Sequence, residues 1–161
     1  MTVLTLKQPI HMSDNSVSFC DIQIKDYESC KRLLSFLTKQ NEEFSFDLFS
    51  KLCSSLHSDH RIICCFYNDI EAGTQIMVGM GTLLIEHKLI HNGSCVGHIE
   101  DIVVDGKYRN MKFGKKIIDE LVKIAKEKQA YKVILNCNEE KIGFYQKCGF
   151  HKSNVEMRIN I

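Results

Sequence analysis

Between Asp101 and Lys115 the chain reads Asp101-Ile102-Val103-Val104-Asp105-Gly106-Lys107-Tyr108-Arg109-Asn110-Met111-Lys112-Phe113-Gly114-Lys115. An apolar strand and a turn lead there into a basic loop, and the loop opens a helix. Unpaired amides in the loop and first helical turn, with the positive end of the helix dipole, can hold a pyrophosphate without touching base or sugar. The same residues also suit a basic turn that merely starts a helix. Spacing alone leaves the two readings level, because short motifs recur by chance. The other reactive side chains are eight cysteines, at 20, 30, 53, 64, 65, 95, 137 and 148. They include no C-x-x-C pair, and several sit among apolar neighbours, as in Ile62-Ile63-Cys64-Cys65-Phe66, where a thiol packs as a small hydrophobe. They are read as core residues, and no metal site is expected.

The elements that would position this loop follow from periodicity. Phe19 to Ile24 alternates as a first strand. Asp26 is placed to cap a helix over Tyr27 to Gln40, with Leu33, Leu34 and Leu37 on one face. A second helix follows Ser45, through Phe46, Phe49, Leu52, Cys53 and Leu56. Arg61 to Tyr67, Gln75 to Glu86 and Cys95 to Val104 read as strands, parted by the turns Asn68 to Gly73 and His91-Asn92-Gly93-Ser94. The strongest helix signal comes next, with Phe113, Ile117, Ile118, Leu121, Val122, Ile124 and Ala125 on one face. Val133-Ile134-Leu135 is a short buried strand, and Lys141 to Cys148 a short helix closed by Gly149. Phe150 to Ile161 is expected to end the chain as a strand, because Val155, Met157, Ile159 and Ile161 alternate with Glu156, Arg158 and Asn160. The class is α/β, layered as in α+β proteins.

A chain of 161 residues, 44% hydrophobic and 25% charged, can bury one sizeable core and is too short for two ordinary domains. Residues 1–16 are expected to be a flexible leader and 17–161 a single domain. Its 21 basic and 20 acidic residues nearly cancel, so no global field recruits nucleic acid or an anionic membrane. Apolar stretches such as Met80 to Ile85 fall far short of the roughly 20 residues that span a bilayer. Met1 to Asn15 lacks a signal-type apolar run, so a cytoplasmic protein is expected.

Four segments resemble, in order and spacing, the glucosamine-phosphate N-acetyltransferases of the GNAT superfamily: Gly97-His98-Ile99-Glu100-Asp101-Ile102-Val103-Val104, the Arg109 to Gly114 loop, Tyr131-Lys132-Val133-Ile134-Leu135, and Gly143-Phe144-Tyr145-Gln146-Lys147-Cys148-Gly149-Phe150. The resemblance runs from about Phe19 to the C-terminus. It implies the GNAT fold, a mixed sheet with splayed central strands flanked by helices. It also implies acetyl-CoA as co-substrate, its pantetheine arm inserted like an extra strand along Ile102, Val103 and Val104. Arg109, Asn110, Met111, Lys112, Phe113, Gly114 and Lys115 would wrap the pyrophosphate, with Tyr145 and Lys147 nearby. The family loop reads R/Q-x-x-G-x-G/A, and Lys112 stands where the first glycine is expected. If that position needs positive φ, Lys112 restricts the approach of the backbone while its ammonium attracts phosphate.

The implied reaction moves acetyl to the amine of glucosamine 6-phosphate, a step of UDP-GlcNAc biosynthesis. Amine attack on a thioester expels a thiolate, and the resemblance puts Tyr145 where a phenol can protonate it. Outside that context, an aromatic packed under the last helix would be the better reading of Tyr145. The matching substrate positions are Thr38, Lys88, Leu89, Ile90, His91, Glu100, Asp101, Ile102, Tyr131, Lys132, Asn136 and Arg158. Asn136 replaces an acidic residue of the family and cannot serve as a base, so Glu100 or a backbone carbonyl is left to hold the water that takes the amine proton. Family members are homodimers whose C-terminal strand brings an arginine to the partner's phosphate site. Asn160 stands at that place here, with Arg158 two residues earlier. Two rivals remain: an acetyltransferase of another amine, and an acyl-CoA-binding module without catalysis.

Overall fold

Apolar runs and alternations underlie the strands of this chain, and apolar residues recurring near every 3.6 positions underlie its helices. A computed structural model describes residues 16–37, 44–69 and 73–161. The expected leader lies almost wholly outside them, as do Thr38 and part of the turn after Asn68. In chain order the elements are β1 (Val17–Asp21), α1 (Tyr27–Leu34), α2 (Phe46–Ser55), β2 (His60–Asp69), β3 (Thr74–His87), β4 (Cys95–Val104), α3 (Phe113–Glu127), β5 (Ala130–Ile134) and α4 (Ile142–Lys147). The strands form one sheet in the order β1-β2-β3-β4-β5. Pairing is antiparallel from β1 to β4 and parallel between β4 and β5, so α3 is the crossover between parallel neighbours.

Hydrophobic cores lie on both faces of the sheet. On one, α3 lays Phe113, Ile117, Ile118, Leu121, Ile124 and Ala125 against Ile63, Cys65, Val78, Leu83 and Ile99. On the other, Cys30 and Leu33 of α1 and Phe49 of α2 cover Cys64, Met77, Met80 and Val103. Cys64 and Cys65 are both fully buried, on opposite faces. A strand covered twice reads as a continuous apolar run, which is the Ile62 to Phe66 signature. Each such buried aliphatic side chain contributes about 1.5–3 kcal/mol. Gly81 sets the spacing of the first layer, because a Cβ there would stand 2.3 Å from Ile102 Cδ1 and 3.0 Å from Leu121 Cδ1.

Three expectations need correction. The segment Phe150 to Ile161 forms no strand; residues 151–161 are irregular and exposed, with Val155 at 83%, Met157 at 90% and Ile159 at 88%. Alternation makes a segment competent for a sheet, but a hydrogen-bonding edge must receive it, and none of the described strands does. Regular α1 ends at Leu34 and not near Gln40, giving way to a turn over residues 35–37. Asp26 does not cap α1; its carboxylate accepts from the Gln23 amide at 2.8 Å and so closes the 3-10 turn Ile24–Asp26. Ser45 does cap α2, accepting from the Leu48 amide at 3.2 Å.

Candidate active site

The site begins where two strands part. β4 and β5 pair from Cys95↔Ala130 to His98↔Ile134 and no further, while β4 runs on to Val104. Beyond His98 one edge of β4 still bonds β3, and the other has no strand against it among the described residues. The family resemblance implies such a splay between two neighbouring strands; in the described sheet β5 is the outermost of them. The Asp105 amide donates to Val78 of β3 at 2.9 Å. Backbone groups alternate edges along a strand, so Ile102 and Val104 direct their N–H and C=O into the open wedge. A bulge makes this phase possible: Glu100 pairs with Thr82 and Val103 with Met80, leaving Asp101 and Ile102 opposite Gly81 alone. Asp101 takes the left-handed conformation (φ 51°) that the extra residue requires.

At the outer end of the wedge, Asp105 leads into the 3-10 turn Gly106–Tyr108 and accepts from the Lys107 amide at 2.9 Å. Arg109 to Lys112 follow, and α3 begins. Its N-cap is Lys112, left-handed at φ 62° and ψ 10°, with no side-chain cap bond. Asn110 is left-handed too, at φ 67°. The position where a glycine was expected therefore does need positive φ, and a lysine meets that need. With no capping side chain, the first amides of α3 keep their hydrogens for an anion. Gly114 sits close under the wedge, since a Cβ there would lie 3.1 Å from Phe144 Cζ and 3.7 Å from Val104 Cγ2. Lys115 is held by Asp119 at 2.7 Å, and Lys147 is exposed.

Tyr145 stands on α4, half-buried, with its ring edge-on to Phe144 at 5.0 Å and to Phe150 at 6.2 Å. Burial raises its phenol above the ordinary value, and the Cys137 and Cys148 thiols and Glu100 push it the same way. The phenol is thus fully protonated at neutral pH and remains a proton donor. Glu100 is raised as well, mainly by burial and then by Asp101, with His98 opposing and Glu156 adding to the rise. A carboxylate raised in this way is a better proton acceptor than an exposed one. Asn136 lies exposed just past the end of β5, on the diverging side of the wedge.

The remaining substrate candidates form a second group. His91 stacks on Tyr131 with centroids 4.4 Å apart, and Lys132 Nζ lies 5.4 Å from the same ring. Lys88 pairs with Glu86, which also bonds His98 Nε2 at 2.9 Å. Leu89 and Ile90 are exposed at the tip of the β3–β4 turn. Lys132 is opposite Val96, four residues along β4 from Glu100, so at about 3.3 Å per residue the two groups stand roughly 13 Å apart. Arg158 lies on the exposed tail and pairs with Glu156 at 2.8 Å, and Thr38 is outside the described residues. Lys88, His91 and Lys132 thus gather at the far end of β4 from Glu100, whereas Glu156, the ion-pair partner of Arg158, lies near enough to raise Glu100. Sequence reasoning missed His98, which shares a strand face with Glu100; its place two residues earlier in the alternation was the available signal.

The model of the acetyltransferase (GNAT) family matches residues 19–150. A Dictyostelium discoideum protein, glucosamine 6-phosphate N-acetyltransferase 1, is 31% identical over 150 residues, spanning 91% of this chain and 92% of its own. The glucosamine 6-phosphate N-acetyltransferase of Candida albicans is 48% identical over 82 residues, 51% of this chain and 55% of that protein. That match spans only about half of the Candida relative. The crystal structure of glucosamine-6-phosphate N-acetyltransferase from Arabidopsis thaliana superimposes with a TM-score of 0.80 at 29% identity, covering 90% of this chain and 98% of that one. With this loop, wedge and tyrosine on the GNAT fold, the chain belongs to the acetyltransferase (GNAT) family and is similar over 91% of its length to one glucosamine 6-phosphate N-acetyltransferase of that family.

Proposed function

We propose that this protein transfers acetyl from acetyl-CoA to the amine of glucosamine 6-phosphate, releasing N-acetylglucosamine 6-phosphate and CoA. The observation that carries the reading is the wedge beside β4, with outward backbone groups at Ile102 and Val104, amide donors of α3 at one end, and Tyr145 within electrostatic reach of Glu100 on the same strand. Ile102 and Val104 bond the amides of the pantetheine arm as a neighbouring strand would. The loop from Arg109 to Lys115 binds the pyrophosphate. The neutral sugar amine attacks the thioester carbonyl, and a water held by Glu100 takes the ammonium proton. Tyr145 protonates the departing sulfur, and its phenolate is reprotonated from solvent. No metal is assigned a role.

The same reading includes a homodimer. Apolar side chains at Val155, Met157, Ile159 and Ile161 are exposed on a tail that pairs with no described strand, and Lys132, grouped with His91 and Lys88, stands roughly 13 Å along β4 from Glu100 of its own chain. A second copy answers both observations by receiving the tail and presenting that group, with Arg158, to its partner's sugar phosphate. The deciding experiment is thiol release from acetyl-CoA against amino-sugar phosphates, amino sugars, polyamines and peptides, run for the wild type and Tyr145→Phe. Turnover should be fastest on glucosamine 6-phosphate and fall by up to about 10²–10⁴-fold in Tyr145→Phe with acetyl-CoA binding retained. Preference for a polyamine or peptide would overturn the substrate, and an undiminished kcat would remove Tyr145 from the chemistry.

A further inference from the structure

The far end of α1 grips the cofactor loop at two points. Arg32 pairs with Asp105, which is 4% exposed, and donates to the Met77 carbonyl at 2.7 Å. Asp105 in turn receives the Lys107 amide at 2.9 Å, so the arginine braces the residue that shapes the turn into the loop. Four residues on, Phe36 lies against Gly106, where a Cβ would meet its Cε1 at 3.3 Å, and its ring centroid is 5.9 Å from Arg109 Cζ. Phe36 remains 42% exposed and belongs to neither hydrophobic core. Among the described residues, no carboxylate pairs with Arg109. An aromatic face orients a guanidinium plane without consuming its N–H donors, whereas a carboxylate would compete with an incoming anion.

We infer that Arg32 and Phe36 are positioning residues that hold the cofactor loop in its anion-binding shape, with Phe36 setting the Arg109 guanidinium toward the pyrophosphate of acetyl-CoA. This rests on the proposed pyrophosphate role of the Arg109–Lys115 loop.

The test compares acetyl-CoA with S-acetylpantetheine, which has the thioester and the arm but no pyrophosphate. Phe36→Leu, which keeps apolar bulk and loses the ring, should lower the ratio of kcat/KM for acetyl-CoA over that for S-acetylpantetheine about two- to fivefold through a higher KM. Phe36→Tyr should restore the ratio, and Phe36→Leu should add nothing in an Arg109→Ala background. Arg32→Lys, which keeps a charge for Asp105 and loses the fork that also reaches Met77, should shift the ratio in the same direction. Equal losses on both thioesters would make the contact merely structural and overturn the inference. A reduced ratio in Arg109→Ala beside an unaltered one in Phe36→Leu would overturn it while leaving the pyrophosphate reading intact. An unaltered ratio in Arg109→Ala would overturn both.

Discussion

Lys112 holds φ 62° at the N-cap of α3, a conformation in which a β-carbon crowds the backbone at a cost of roughly 1–2 kcal/mol. Glycine would remove that crowding and return part of the gain as unfolded-state entropy. Lys112→Gly should therefore raise the melting temperature by about 1–3 °C, measured by circular dichroism. It should also raise KM for acetyl-CoA at low salt, because an ammonium beside the pyrophosphate is lost. At Asn136 the logic is protonic. An amide accepts a hydrogen bond and takes up no proton near neutrality, so wild-type kcat/KM should climb with pH as the substrate amine deprotonates. Asn136→Asp should increase activity selectively at the acid end of that profile. A folded but inactive Asn136→Asp would contradict this account, as would a wild-type profile governed by an enzyme base well below the amine's own pKa.

Elements whose signals are local were legible in the sequence, and those completed by distant partners were not. The apolar face of α3 and the continuous apolar runs of the doubly buried β2 and of β3 each report their own surroundings. The tail after Phe150 carried an equally clear alternation and forms no strand here, because pairing is a property of two segments. The bulge at Asp101 was invisible for the same reason: it exists in the register between β3 and β4. So too was the tie that holds the far end of α3. Asp59, between β2 and the preceding bridge at His57, bonds Lys128 at 2.8 Å and His87 at 3.0 Å. The Lys128 bond first, and then the His87 bond, lower its carboxyl from 3.8 to about 2. A depressed carboxyl stabilises the fold above its unfolded-state value, and that stabilisation is lost as pH falls from near 4 toward 2. Asp59→Asn should be less stable than wild type at pH 6 and converge with it at pH 2 in urea melts.

At the scale of the molecule the elements around the wedge were legible and a completed pocket was not. The family resemblance pointed to Tyr145, Glu100 and the Arg109–Lys115 loop; the fold puts the loop at one end of the wedge and Tyr145 within electrostatic reach of Glu100. The same resemblance pointed to Lys88, His91, Lys132 and Arg158, of which the fold keeps the first three at the other end of β4 and the last on the tail. Spacing along one chain carries no information about which copy of that chain a residue serves. Deleting residues 151–161 should leave acetyl-CoA binding intact, raise KM for the phosphosugar, and convert a dimer to a monomer in sedimentation velocity. A truncated protein that still sediments as a dimer would show that the tail is not what joins the copies.

The wedge beside β4 also bears on how the protein behaves when acetyl-CoA runs short. Ile102 and Val104 present backbone donors and acceptors on a margin that no described strand covers, and such margins recruit foreign strands. A pantetheine arm laid along them is a reversible seal. Colloidal shelf-life should therefore follow cofactor supply: protein stripped of acetyl-CoA should scatter light and precipitate sooner on gentle warming. Protein kept at about 100 times the dissociation constant gains roughly 2.7 kcal/mol by mass action and should stay dispersed. Light scattering during a slow temperature ramp, with S-acetylpantetheine as a second additive, would separate sealing by the arm from gripping of the pyrophosphate.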